Sequence, residues 1–450
     1  MLTQAELSKL TLASLRKIHM IGICSPFASF CAQLLLAKGI MVTASEHNQS
    51  GEEAKTWIEK QVLYPGPHNA DFITKDLDLV IYPNGVIPNN PECIKTEALN
   101  LPSITLGQLT GFLTQDLKTI AVAGTHGKTT TASAITYMLA KLDTLPNFVV
   151  GDALVKINKL NKNWNYTTAS KYFVVEACEY KKQFLDRAPK PYITVITNIE
   201  LDHTDFYPTQ TEYNKAFEEF IANTQETLII DLTASNSQEV YKKSQYKHNV
   251  LDVADFTNLT VESELIGSMN QRNLIRAYLV GSALGYSDTA IRTALSTFSG
   301  LTARFEYLGL SQTQAPIHYD YAHNPAKIAF CLANAKEQYP ESRVILVFQP
   351  HSYERTHTFK HAFANALALA DVVLIPNIFS PARDMGSVQD ISPEDFVEFL
   401  KTNTTNKTII HTKTFDITAQ WLQDHTDKHD VIILASAGDL RKLTPLILHT

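Results

Sequence analysis

The chain has 450 residues, of which 44% are hydrophobic and 19% charged, with 17 Gly and 19 Pro, which excludes a disordered or fibrous protein and suits roughly two to four domains. A net charge of −7 without any lysine- or arginine-rich run excludes general nucleic-acid binding, so anionic substrates must meet local basic groups. Cys24, Cys31, Cys93, Cys178 and Cys331 are odd in number and form no C-x-x-C, which indicates neither a disulfide framework nor a zinc site.

No apolar run reaches membrane-spanning length, and Met1 to Lys17 lacks a signal-type apolar core. The expectation is a cytoplasmic protein with no membrane insertion. The N-terminal part opens with a predicted strand over Ile18 to Ile23. A helix follows, with Ser25 as N-cap, Pro26 at the first position and an apolar face of Phe27, Phe30, Cys31, Leu34 and Leu35. The next strand, Ile40 to Ala44, ends at Ser45 and Glu46. This is a Rossmann-like βαβ unit with an acid about 20 residues past the loop, where a ribose hydroxyl would sit. Its glycine fingerprint is degraded: Gly22 is present, but Cys24 and Phe27 hold the next two glycine positions. A second unit follows, with a strand at Leu77 to Tyr82 and a loop at Asn84 to Glu92.

The central part begins with a buried strand, Thr119 to Ala123, then Gly124-Thr125-His126-Gly127-Lys128-Thr129-Thr130-Thr131. Beyond Lys128 the apolar period changes, placing Ile135, Met138, Leu139 and Leu142 on one helical face. Gly124 and Gly127 let backbone N–H groups close around a phosphate, and the helix N-terminus adds partial positive charge. Lys128 can reach terminal phosphates, and the Thr129 hydroxyl can hold Mg²⁺. The spacing is tighter than the general P-loop, whose first glycine would fall at Val122. Strand Tyr172 to Val175 ends in Glu176-Ala-Cys-Glu-Tyr180, and strand Ile193 to Thr197 runs into Asn198-Ile-Glu-Leu-Asp-His203. Ligands bind at such strand ends in open α/β sheets, so Glu176 and His203 join Thr129 as candidate Mg²⁺ groups. A helix-capping acid and a surface histidine are the alternatives. Gly267 to Gly285 reads as a loop and helix carrying Asn270, Asn273 and Arg276.

From Leu301 onward, strands at Ile317 to Tyr321, Val344 to Phe348, Val372 to Ile375, Thr408 to His411 and Val431 to Ala435 alternate with helices such as Pro325 to Gln338 and Phe359 to Ala370. Connections of this kind imply right-handed parallel crossovers. Polar clusters follow the strand ends at Asp320-Tyr-Ala-His-Asn324, Gln349-Pro-His-Ser-Tyr-Glu-Arg355 and Ser436-Ala-Gly-Asp439. The fold expected is α/β in three domains: Rossmann-like over 1–116, a P-loop ATPase-like parallel sheet over 117–300, and a Rossmann-like doubly wound sheet over 301–450.

The loop G-T-x-G-K-T, together with Glu176-Ala-Cys-Glu-Tyr180, Thr197 to His203, Asp320 to Pro325 and Phe348-Gln-Pro-His-Ser-Tyr-Glu-Arg-Thr356, resembles the Mur ligase family, the ATP-dependent amide-forming enzymes of peptidoglycan synthesis. The Phe-Gln-Pro-His run is most similar to members that join L-alanine to UDP-N-acetylmuramate. Members that recycle a ready-made tripeptide come second, and a degenerate ATP-binding member is a further alternative. The resemblance implies that Lys128 contacts the ATP phosphates and that Thr129, Glu176 and His203 organise Mg²⁺. Gly124 to Thr130, Asn270, Arg304 and Asp320 would hold the nucleotide. His323, His351 and Arg355 would line the cleft where the growing substrate and the amino acid meet, and Gly22, Ser45 and Glu46 would hold the uridine diphosphate group. A monomer or weak homodimer acting on these small molecules is expected. The sequence departs from the family at Met269, where the family has a histidine, at Ser436, where it has a glycine, and at Asn324, where it has a second histidine.

Overall fold

Short, largely apolar runs at Lys17–Ile21 (β1), Met41–Ser45 (β2), Leu79–Tyr82 (β3) and Ser103–Thr105 (β4) pair in parallel, in the order β2-β1-β3-β4, in the computed structural model of the chain. Nearly every residue of β1, β2 and β3 is buried, as a parallel sheet covered on both faces requires. The structure describes every residue except 8, 84–88, 144, 152–154, 158–159, 205, 264, 266, 381–390, 405–407 and 450. The expected loop from Asn84 therefore lies partly outside the described residues. The helix Pro26–Ala37 starts as its sequence predicts: Ser25 caps it by accepting from Ala28 N–H, and Pro26 occupies its first turn.

The second sheet contains Lys118–Ala123 (β5), Asn147–Val149 (β6), Trp164–Asn165 (β9), Tyr172–Glu176 (β10), Ile193–Ile196 (β11), Thr227–Ile230 (β12) and Asn249–Asp252 (β13), with a separate hairpin of Val155–Ile157 (β7) and Leu160–Lys162 (β8). Its order is β13-β12-β11-β5-β10-β6-β9, and only the β6–β9 pair is antiparallel. One core runs through both sheets: Phe30, from the helix after β1, stacks on Phe173 of β10 with ring centroids 5.0 Å apart. Residues 1–264 and 270–299 consequently form one compact unit, and 265–269 with 300–450 form the other.

The second unit holds Glu306–Leu310 (β14), Pro316–Asp320 (β15), Arg343–Gln349 (β16), Val372–Ile375 (β17), Thr408–His411 (β18) and Asp430–Ser436 (β19), in the order β14-β15-β19-β16-β17-β18. All pairs are parallel except β14–β15. The helix Pro325–Gln338 has its predicted bounds, with Asn324 accepting from Lys327 N–H as cap. The expected helix Phe359 to Ala370 is instead Lys360–Leu367, preceded by a separate short helix Tyr353–Thr358, because Phe359 leaves helical geometry at the junction. No helix among the described residues is long and apolar enough to cross a membrane.

Candidate active site

The glycine loop lies between β5 and the helix Lys128–Leu142, at the carboxyl end of the second sheet. Gly124 and Gly127 adopt φ of +126° and +82°, which only glycine enters without strain. Both are also crowded: a Cβ on Gly124 would lie 2.7 Å from Asn198 O, and one on Gly127 would lie 2.6 Å from Asn273 Oδ1. Asn198 holds the loop by accepting from the N–H groups of Thr125 (2.9 Å) and His126 (2.8 Å) with its side-chain oxygen. Thr131 donates to Asn273 Oδ1 at 3.2 Å, and buried Arg276 donates to Thr197 O at 2.6 Å. Asn270 and Asn273 share the helix Ser268–Ala283, and Asn273 touches the loop.

Lys128 curls back over this loop. Its Nζ donates to the Gly124 and Thr125 carbonyls and lies 3.2 Å from Glu179 Oε2. Glu179 is fully buried, accepts from Tyr213 Oη at 3.2 Å, and lies 3.6 Å from His203 Nε2. Burial pushes Glu179 up, but the charges of Lys128 and His203 outweigh it and hold the carboxyl below its usual range. Burial likewise pulls Lys128 down, and Glu179 more than reverses the shift. For His203, burial is opposed by Cys178, Glu179 and Asp202, which lift it to about 10.

Two donor sets for a divalent cation follow. Glu179, Asp202 and His203 bring their ligand atoms within 4.8 Å of one another, a set that could take a cation only with His203 deprotonated. Thr129 and Glu176 meet elsewhere, at Gly151: a Cβ there would lie 2.7 Å from Glu176 Oε2 and 3.1 Å from Thr129 Oγ1. Glu176 accepts from Gly151 N–H at 2.6 Å in the space that results. The sequence alone groups Glu176 with His203. The structure places Glu179, three residues on, at His203 and Lys128. Thr130 occupies the first turn of the helix with Thr129, and His126 faces Glu200 at 3.8 Å.

At the N-terminal sheet, Gly22 takes φ +82°, and a Cβ there would meet nothing within 4 Å, so its conformation alone calls for glycine. Glu46 reaches back to this loop, and its Oε2 accepts from Ile23 N–H (3.2 Å) and Cys24 N–H (3.1 Å). Ser45 is fully buried and spends its hydroxyl on Glu92 and His68. Phe27, in place of a glycine, packs its ring under the Arg187 guanidinium at 3.8 Å.

In the other unit, Asp320 ends β15, His351 follows β16 and Asp439 follows β19, three adjacent strands. Asp320 accepts from Phe305 N–H at 2.9 Å. Burial raises its carboxyl, with Arg304 pulling the other way. His323 donates from Nδ1 to Tyr321 O at 2.9 Å, leaving Nε2 as its basic nitrogen, and its ring lies 6.2 Å from that of His351. Burial and the nearby cations Lys327 and Arg355 hold His323 down at about 4, so it is a neutral base near pH 7. Arg355 lies in the short helix capped by Ser352. Gln349, which the sequence places in a polar cluster at a strand end but gives no role, is a hub: its amide donates to Asn377 and Asp439, and its side-chain carbonyl accepts from Ser436 Oγ and Asp439 N–H.

Residues 122–254 match the Mur ligase middle domain, and residues 303–438 match the Mur ligase, glutamate ligase domain. The UDP-N-acetylmuramate–L-alanine ligase of Agathobacter rectalis is 32% identical over 94% of this chain and 95% of its own length. The enzyme of the same name from Clostridium tetani is 32% identical over 96% of this chain and 98% of its own. Among solved structures, a UDP-N-acetylmuramate–alanine ligase from Thermotoga maritima superimposes with a TM-score of 0.69 at 23% identity, covering 95% of this chain and 97% of that one. A murein peptide ligase from Psychrobacter arcticus gives 0.61 at 20% identity, covering 96% and 97%.

Proposed function

This chain belongs to the Mur ligase family, and from that premise we propose that it joins L-alanine to UDP-N-acetylmuramate at the expense of ATP. The observation that carries the reading is the agreement, over nearly the whole chain, with relatives named for that reaction. The glycine loop, which leads into the N-terminus of the helix Lys128–Leu142 and is spanned by Lys128, supports the ATP half.

The proposed chemistry has two steps. The lactyl carboxylate attacks the γ-phosphorus of ATP, giving an acyl phosphate and releasing ADP. The amine of L-alanine then attacks the acyl carbon, loses a proton, and inorganic phosphate leaves. Lys128 would move from the loop carbonyls and Glu179 onto the phosphates, neutralising charge as the phosphoryl group passes between oxygens. His323, neutral and with Nε2 as its basic nitrogen, is the proposed acceptor of the amine proton. Arg304, Asp320, His351, Arg355 and Asn270 are assigned to nucleotide and substrate binding, with Asp320 at the ribose. The Gly22 loop and the N-terminus of the helix Pro26–Ala37 would take the diphosphate, with Glu46 giving up the Ile23 and Cys24 N–H groups that it now holds. The three functions fall to residues 1–116, 117–300 and 301–450, in a cytoplasmic monomer or weak dimer.

Mg²⁺, when bound, would supply charge neutralisation for the phosphates. The cradle at Gly151 suits an oxygen-liganded cation held by Thr129 and Glu176. Glu176→Ala should therefore raise the Mg²⁺ concentration needed for half-maximal rate about 10–100-fold. His203→Ala should do so as well. Magnesium titrations matching the parent in both variants would return these residues to purely structural roles. Replacing L-alanine by a tripeptide in the same assay separates the recycling reaction from the proposed one.

A further inference from the structure

We infer that His68 reads the nucleobase of the uridine nucleotide, its Nε2 lone pair accepting the N3–H that uracil carries and cytosine lacks. The inference rests on the proposed UDP-sugar substrate and assigns a residue outside the glycine loop.

The argument runs through a buried polar network at the carboxyl end of β2. Glu92 is fully buried on the helix Pro91–Ala98. Its Oε1 accepts from Asn69 N–H at 2.9 Å, and its Oε2 accepts from Ser45 Oγ at 2.7 Å and lies 3.2 Å from His19 Nε2. Burial alone would raise its pKa, but these partners more than offset it, so Glu92 is a carboxylate near neutral pH. An ionised carboxylate only accepts, so the Ser45 proton is committed to Glu92. Ser45 Oγ can then only accept from the ring nitrogen 2.8 Å away, which makes His68 Nδ1 the donor. In the neutral imidazole the other nitrogen, Nε2, is consequently a bare acceptor.

The ring that carries this acceptor packs against His47, with centroids 6.2 Å apart, and is not sealed in with the carboxylate. The side chain of His68 keeps 12% of its surface exposed while Glu92 keeps none. Among the described residues, the hydrogen bond and the ion pair of His68 both run through Nδ1. Ser45 is the last residue of β2, so His68 stands at the sheet end where Gly22 and Glu46 also lie and where nucleotides bind in open parallel sheets.

An acceptor held in one tautomer discriminates by chemistry. It pairs with the N3–H of uracil and opposes the N3 lone pair of cytosine, and a site built to satisfy one partner rejects the other because its buried group is left unpaired. The test is calorimetric binding of UDP and CDP to the full chain at pH 8, with competition by UDP-N-acetylmuramate. The parent should bind UDP about tenfold or more tightly than CDP. In His68→Phe the preference should fall to within about threefold, through weaker UDP binding, while the KM for ATP stays at the parent value. His68→Gln, which offers a carbonyl acceptor, should keep part of the preference even if the phenylalanine variant folds poorly. Ser45→Ala should also lower it, because the ring loses the acceptor that fixes its tautomer. A folded His68→Phe that keeps the parental UDP:CDP ratio overturns the inference and leaves the ligase reading standing. A parent that binds neither UDP nor UDP-N-acetylmuramate removes the uridine reading as well, so the two failures are distinct.

Discussion

Lys128→Met should reduce alanine-dependent turnover by about 10²–10³, the usual cost of removing one preorganised charge from a developing transition state. It should also destabilise the protein, for a separate reason. Glu179 is fully buried and Lys128 is 12% exposed, so deleting the lysine leaves a carboxylate paired only with His203. Breaking such a pair from one side costs about 3–5 kcal/mol. The double variant Lys128→Met/Glu179→Gln separates the two effects, since the buried carboxylate is neutralised along with the loss of its lysine. Its melting temperature should recover while its turnover stays at the single-variant level. Recovery of turnover along with stability would mean that Lys128 only holds the loop together.

Gly124→Ala should be the most damaging single glycine substitution in the loop. The residue sits at φ +126°, and an added Cβ would lie 2.7 Å from Asn198 O and 2.9 Å from Asn198 N. Those are backbone atoms, so no rotamer change relieves the clash. Moving Asn198 would also withdraw the oxygen that accepts from Thr125 and His126 N–H, so the loop would lose both its shape and its anchor. Conformational strain plus overpacking adds to about 2–4 kcal/mol, with ATP binding lost in proportion. Gly39→Ala is the control. It has a similar left-handed conformation, φ +78°, but nothing within 4 Å of the new Cβ. It should cost about 1 kcal/mol and leave the KM for ATP unchanged. Equal effects at the two positions would show that backbone conformation, and not contact with Asn198, governs the loop.

Much of this architecture is written locally. Ser25-Pro26 and Asn324-Pro325 each combine a side-chain cap with a proline in the first turn, and both helices begin where those signals stand. Continuous apolar runs mark the buried parallel strands for the same reason. The antiparallel edge strand Glu306–Leu310 escapes a reading of the sequence because it is only partly buried and carries Gly309 at φ +131°, so it shows no apolar run. Site residues divide the same way. The glycine loop has a periodic signature, whereas the choice between Glu176 and Glu179 depends on how the chain turns after β10, which spacing alone does not set. Ser45 groups with the substrate contacts by its place at a strand end, but its burial among Glu92 and His68 emerges only once distant segments converge. His68 lies in a Pro- and Gly-rich loop with no periodicity, and its partner Glu92 is 24 residues further on in sequence.

The most direct test of the central claim is the dependence of ADP and phosphate release on the two proposed substrates, with the product identified by mass. With ATP and Mg²⁺ present, release should require both UDP-N-acetylmuramate and L-alanine, and the new species should equal their combined mass less one water. ATP hydrolysis indifferent to either compound, or coupling only to a peptide amine, would contradict the assignment.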